Sequence, residues 1–526
     1  MGDDAIADAE TADAPTSARP PIDAVALMTL VGRTLMVLGG AYLLRALTEA
    51  AVWPPTVGVL AGFTYAATWL AIADRTATAG RRLSAIFYAT STVMIALPLL
   101  WEAVTLFHIV PVGAAALILT ATAVSVLAAA VRTRLQTPAW LVVCGAIATS
   151  VALTAQTGAV LPFALADIVL GVVTLWIGYT IDWVWLRWPI AVTADLAVIA
   201  LSTGVASRTA TDPPSRIVAV QLLLLTAYLA SVAIRTLVRG REVNVFEALQ
   251  SAAALAAGFG GAVYVARSTG TGGALLVAIA LASGAGCYAV AFAFVARHQG
   301  LRHNFYFYTS LALVLVLAGS ALGMNAPALL WVSLALVAAW TARRGDRLTL
   351  TLHAAAYYVA AAIASGLLAA SVAALAGPPV GQSPFSASLF AVVVAGFVCW
   401  LMPMPAPAQP ADRFAIVPRV AIAAIVAGAA AAWLVALVVS SSTSIGLVAT
   451  IRTGALALTA LGLAWLATGT RGREAAWLVY PTLVVGAVKL LAEDVPRSSA
   501  ATLFIALAVY GGALIVAPHV MRGRAR

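Results

Sequence analysis

The sequence predicts an all-α fold: a polytopic transmembrane helical bundle of about eighteen spans, with both termini in the cytoplasm. Hydrophobic residues make up 63% of the 526 residues and charged ones only 10%, where soluble domains carry roughly 25%. The mean hydropathy is +1.00. The apolar residues fall in runs of about twenty, the length that crosses ~30 Å of hydrocarbon at 1.5 Å per residue.

Residues 1–23 form an acidic tail with three prolines (Pro15, Pro20, Pro21), expected to be disordered and cytoplasmic. It lacks the basic start and small-residue cleavage site of a signal peptide. Apolar runs follow at 28–49, 54–73, 84–106, 110–131, 138–156, 159–180, 188–206, 216–237, 245–266, 272–296, 304–322, 326–342, 349–375, 385–403, 416–440, 446–468, 475–492 and 498–519. Residues 24–402 are read as the main membrane region and 403–412 (PMPAPAQPAD) as a proline-rich cytoplasmic linker. Residues 413–526 then form a C-terminal group of helices with a short basic tail.

Arginine placement orients these runs. Every second connection is basic: Arg75, Arg81 and Arg82 follow the second run, Arg235, Arg239 and Arg241 the eighth, Arg343, Arg344 and Arg347 the twelfth, Arg413 and Arg419 the fourteenth, Arg471 and Arg473 the sixteenth. The alternate connections offer only Arg208, Arg216, Arg267 and Arg497. This asymmetry implies an even number of spans and cytoplasmic ends. Alanine-rich, arginine-over-lysine usage points to a bacterial inner (plasma) membrane.

The same composition excludes several functions. The net charge of +10 lies in short inter-helix clusters, so the chain's partner is the lipid bilayer and not nucleic acid. Loops are short, and neither a phosphate-binding loop nor a soluble catalytic domain is present. Cys144, Cys287 and Cys399 sit in separate apolar runs as small buried residues, and no histidine pair has metal-ligand spacing. No cofactor or metal is expected. His353, at the start of the thirteenth run, is expected at the cytoplasmic interface.

Charged residues inside the runs carry what functional signal there is. All but one of the thirty basic residues are arginine; the exception is Lys489, late in the seventeenth run and followed by Glu493 and Asp494. Lys489 and Glu493 are one helical turn apart and can pair. With Arg45, Glu49, Glu102, His108 and Arg452 they fall at the external ends of helices. There they either snorkel to the interface or form a substrate or ion site, with Arg452 and Lys489 meeting an anionic group. Asp167 and Asp195 lie mid-run on neighbouring helices, at heights that agree within ~3 Å. They bind a cation, share a proton, or are hydrogen-bonded packing residues.

The stretch VGRTLMVLGGAYLLRALTEAAVWPPTVGVLAGF (Val31 to Phe63), with Arg33, Gly39, Gly40, Arg45, Trp53 and Pro54, resembles the first helical hairpin of bacterial membrane proteins grouped as domain of unknown function 2339. The run from Tyr88 through Trp101 and His108 to Pro111, and Ala328 to Tyr358, are similar too. Lys489 and Asp494 match the family's terminal hairpin. The resemblance is weak from about 160 to 300. It implies a many-helix membrane protein and brings no catalytic residues with it. Three activities fit: transport or flipping of an anionic or lipid-linked envelope molecule, then a non-catalytic scaffold for envelope assembly, then a membrane-embedded glycosyltransferase or other lipid-modifying enzyme.

Overall fold

The computed structural model describes residues 24–50, 52–270, 272–345, 348–377, 386–402, 416–439, 443–469 and 474–522. The acidic tail, the 403–412 linker, and Arg347, Arg413, Arg471, Arg473, Arg524 and Arg526 lie outside the described residues.

Every regular element among the described residues is helical. In chain order these are α1 (Ala24–Glu49), α2 (Pro55–Thr78), α3 (Arg82–Thr105), α4 (Val112–Thr133), α5 (Gln136–Thr157), α6 (Val160–Thr180) and α7 (Arg187–Ala206). Next come α8 (Pro214–Val238), α9 (Val245–Thr269), α10 (Gly273–Gln299) and α11 (Arg302–Gly323). They are followed by α12 (Ala328–Gly345), α13 (Leu348–Ala364), α14 (Leu367–Ala376), α15 (Ala387–Leu401), α16 (Val417–Val438) and α17 (Ile445–Ala467). The last are α18 (Ala475–Arg497) and α19 (Ala500–Arg522). Fourteen of these helices are long and apolar enough to cross a membrane, and α13 with α14 pass the same test as a pair bent by 62°. The protein is therefore a multi-pass membrane protein. Each apolar run of the sequence coincides with a helix or, for 349–375, with this bent pair.

The break in the bent pair has a local cause. Gly366 takes φ +78°, a left-handed conformation that only glycine adopts without strain. It ends α13 without a proline and opens α14 on a new axis.

The chain divides into two compact units, Met1–Thr271 and Gly272–Arg526. In the first, α1 packs on α2 and α3, α3 and α4 on α5, and α6 and α7 on α8 and α9. Leu97, Leu119, Leu153, Phe163 and Ile190 fill its core. In the second, α10 pairs with α11, α12 with α13, and α17 packs on α16, α18 and α19 around Tyr358, Trp400, Leu463 and Tyr510. The proline-rich 403–412 does not separate one body from another, because α13, α14 and α15 before it pack against α16 after it.

The outward faces are apolar. Met36 is 80% exposed, Leu117 73% and Phe504 71%, which suits contact with lipid and not water. Hydroxyl groups inside the helices bond back to the carbonyl four residues earlier, as Thr120 does to Ala116 and Ser371 to Leu367. Two sequence expectations change. Cys144 is exposed on the apolar surface instead of buried. His353 is buried, because it lies more than a turn inside α13 and turns toward the protein interior.

Candidate functional site

The most enclosed membrane-length helix is α17, with 61% of its apolar stretch buried, and it carries Arg452. The Arg452 side chain is 4% exposed and pairs with Glu493 (Nη1 to Oε1, 2.7 Å). Its Nε donates to the Ala374 carbonyl at 2.8 Å, and its Nη2 donates to the Gly377 carbonyl. Both carbonyls belong to the C-terminal end of α14. A helix end carries unsatisfied acceptors and partial negative charge, so a guanidinium there satisfies both at once.

Beside it stands Lys489 of α18. Its ammonium donates to the Ala449 carbonyl (2.5 Å), to Thr453 Oγ1 (3.0 Å) and to Asp494 Oδ2 (2.8 Å). An ammonium has three donors, and all three are used. Thr453 completes a triangle by donating to the same Asp494 oxygen at 2.8 Å. Glu493 Oε2 lies 3.5 Å from Lys489. Asp494 is fully buried, and its Oδ1 is without a partner among the described residues.

The local backbone makes this arrangement. Leu490–Asp494 forms a π-turn inside α18. Five residues along an α-helix lie roughly 140° apart around the axis, so Asp494 would point away from Lys489 in a regular helix. The i to i+5 closure of the π-turn brings it onto the same face. The sequence suggests a Lys489–Glu493 pair; the closer partner is Asp494, and Glu493 turns to Arg452.

The sequence expectation has Arg452 and Lys489 meeting an anionic group; the anionic groups they meet in the structure are the chain's own Glu493 and Asp494. Two cations and two carboxylates neutralise one another inside the bundle, and no donor of Lys489 is left over. Snorkelling is corrected, since the Lys489 side chain is 10% exposed.

The other end of α18 repeats the device. Buried Arg419 of α16 donates to the Met402 (3.1 Å) and Trp400 (3.0 Å) carbonyls at the end of α15. It also lies 3.0 Å from Glu474, just before α18. Glu474 and Glu493 are about 28 Å apart along the helix, close to the ~30 Å of a hydrocarbon core. In the sequence Arg419 registers only as a loop charge.

The remaining candidates lie in the first unit. Arg45 bridges Glu102 (Nη1 to Oε1, 2.7 Å) and Glu49 (Nε to Oε1, 2.8 Å). His108 is exposed and bonds the Val104 carbonyl through Nδ1 at 3.0 Å. Asp167 and Asp195 are buried on adjacent helices but are turned to different partners. Asp167 accepts from Ser150 on α5 at 3.0 Å, and both oxygens of Asp195 accept from Gln250 Nε2 on α9 at 3.0 Å. Among the described residues each carboxylate thus bonds a neutral side chain of another helix. No group of three or more His, Cys, Asp or Glu residues suited to a metal ion occurs among the described residues.

Two polar clusters are not evident from sequence reasoning. Glu247, 1% exposed, accepts from Tyr179 (2.6 Å) and Arg235 (2.5 Å), and it forms a capping box with Asn244 at the start of α9. The spacing Asn244-x-x-Glu247 before an apolar run is a visible signal of the cap. His353 Nδ1 lies 2.9 Å from the Tyr288 hydroxyl, which is itself 3.1 Å from that of Tyr357. Tyr288 and His353 are 65 positions apart, and no local pattern announces their contact.

No protein-family model matches the chain, and neither a curated protein nor a solved structure is similar to it.

Proposed function

We propose that the protein crosses a bacterial inner membrane eighteen times, with both termini cytoplasmic, and that it moves an anionic or lipid-linked envelope molecule across it. The observation that carries the transport reading is the broken α13–α14 span, whose half-helix ends on the buried Arg452–Glu493–Lys489–Asp494 quartet. An interrupted span costs unsatisfied backbone groups in lipid and is tolerated where it lines a protein site. Transporters use the ends of broken helices as ion and substrate contacts; here the quartet sits at the outer end of α14, about 15 Å along the helix from the Gly366 break. Here the quartet closes on itself, so an arriving anion competes with Glu493 and Asp494 for Arg452 and Lys489. Arginines on alternate connections support the topology, and the Glu474–Glu493 separation supports a full crossing by α18. The match of Arg45, Lys489 and Asp494 to the domain of unknown function 2339 pattern fits a protein of this kind.

A non-catalytic scaffold is the second reading, favoured by the saturated donors of Lys489. One experiment separates the two. Replacing a buried ion pair by apolar residues of similar volume is often neutral for stability. The double variant Lys489→Met/Asp494→Leu, expressed at the wild-type level in a deletion strain, is expected to fold but to fail to complement the envelope defect of the deletion. Full complementation by this variant would refute the charge-dependent transport reading and leave the scaffold.

A further inference from the structure

A cavity of about 170 Å³ lies among α1, α2 and α3 of the first unit. Its walls are apolar, with Leu38, Ala41, Ile95 and Leu99 among them, and its outer end is closed by Arg45 and Glu102. Gly58 and Gly62 of α2 line it, and the absence of a side chain lets Thr48 and Leu99 pack directly against the α2 backbone at its wall. A Cβ on Gly62 would meet a Leu99 methyl carbon at 2.5 Å. Tyr42 and Met94 line one side and are 67% and 53% exposed, so the cavity opens laterally, where lipid would be. From Leu38 to Arg45 the apolar wall runs about 10 Å along α1. The volume is that of five or six waters at ~30 Å³ each, matching a segment of one acyl chain.

The charged end defines the head that fits. Arg45 is flanked by two carboxylates, Glu49 and Glu102, so the three groups sum to one negative charge. A purely anionic head meets two carboxylates and one cation there. Arg45 spends Nε and Nη1 on those carboxylates, and among the described residues Nη2 makes no protein hydrogen bond. A head bearing both an ammonium and a phosphate is complementary: the phosphate takes Nη2, and the ammonium takes Glu102 and Glu49. We propose that this cavity is a lateral binding site for a phospholipid with a primary-amine (ethanolamine-type) zwitterionic head, one chain segment lying between α1 and α3. It rests on the first unit alone and does not depend on the transport reading.

The test uses the full chain in nanodiscs containing equal amounts of amine-headed and glycerol-headed phospholipid, released into native mass spectrometry. Wild type is expected to retain an amine-headed lipid with a preference of about tenfold, the size of one charge-assisted contact. Glu102→Gln should keep a bound lipid but lose most of the head-group preference. Ala41→Phe, which fills the cavity, should retain neither lipid while eluting as wild type does. Equal retention of both heads by wild type, or no retained lipid, would overturn the proposal. So would undiminished retention by Ala41→Phe. Should Ala41→Phe fail to fold, the wild-type competition decides alone.

Discussion

Lys489 meets Asp494 at 2.8 Å across five residues of one helix, a spacing that a regular α-helix keeps apart. The π-turn is thus the local feature that turns a run of three charges into a closed network. It places Asp494 under Lys489 and frees Glu493 for Arg452. Removing one partner of this pair leaves an uncompensated buried charge. Asp494→Asn is expected to cost about 3–5 kcal/mol, whereas Lys489→Met/Asp494→Leu should lie close to wild type. Thermal unfolding of the detergent-purified variants checks this. A single variant as stable as wild type would show that the network has little structural role.

The two ends of α18 predict a matched pair of effects. Arg452 and Arg419 each bind one glutamate and two carbonyls at a preceding helix end. Lysine cannot reproduce a planar fork that serves three acceptors. Arg419→Lys and Arg452→Lys should therefore rescue only part of the loss seen in the alanine variants. Arg419→Ala and Glu474→Ala should be non-additive, with a coupling of roughly 0.5–3 kcal/mol in a double-mutant cycle. Strict additivity would mean that the 3.0 Å approach carries no energy.

Asp167 and Asp195 lead to the opposite expectation. Each accepts from a neutral side chain, Ser150 or Gln250, and no cation is seen bonded to either among the described residues. An amide oxygen can accept the Ser150 bond and one of the two contacts from Gln250. Asp167→Asn and Asp195→Asn should each change stability by less than about 1.5 kcal/mol, the net value of an ordinary hydrogen bond. Their envelope phenotype in a deletion strain should be unchanged. Loss of function with intact folding in either variant would restore the cation or proton reading that their equal heights suggest.

The contrast between these carboxylates shows what can be read from the chain. Helices are legible because run length and arginine placement are one-dimensional signals set by bilayer thickness. Burial of Lys489 is only half legible. Its rarity marks it, but the π-turn depends on tertiary fit and has no sequence signature. Asp167 and Asp195 do lie on neighbouring helices, yet depth alone does not fix azimuth, and Ser150 and Gln250 draw them elsewhere. Arg419 and His353 fall at boundaries in the sequence because hydropathy windows locate helix ends without showing which side faces the bundle. The Gly366 break is hidden in a continuous apolar run, since glycine is common in membrane helices that stay straight.

Tyr358 packs over Gly396, and the same relation holds between Tyr228 and Gly171 in the other unit. In each case a Cβ on the glycine would fall well inside contact distance of the tyrosine hydroxyl. Both hydroxyls are buried without a hydrogen-bond partner among the described residues. Gly396→Ala should thus destabilise by about 1–3 kcal/mol through overpacking. Tyr358→Phe removes an unsatisfied buried hydroxyl and should be neutral or stabilising. Removing the hydroxyl does not clear Gly396, because ring carbons of Tyr358 also crowd that position, whereas at Gly171 the next Tyr228 atom is 3.4 Å away. The double variant Gly171→Ala/Tyr228→Phe should therefore recover stability relative to Gly171→Ala alone when unfolding is followed by heating in detergent, and Gly396→Ala/Tyr358→Phe should recover little. If Tyr358→Phe alone lowers stability markedly, the hydroxyl has a partner, and the close approach of α13 and α15 has another cause.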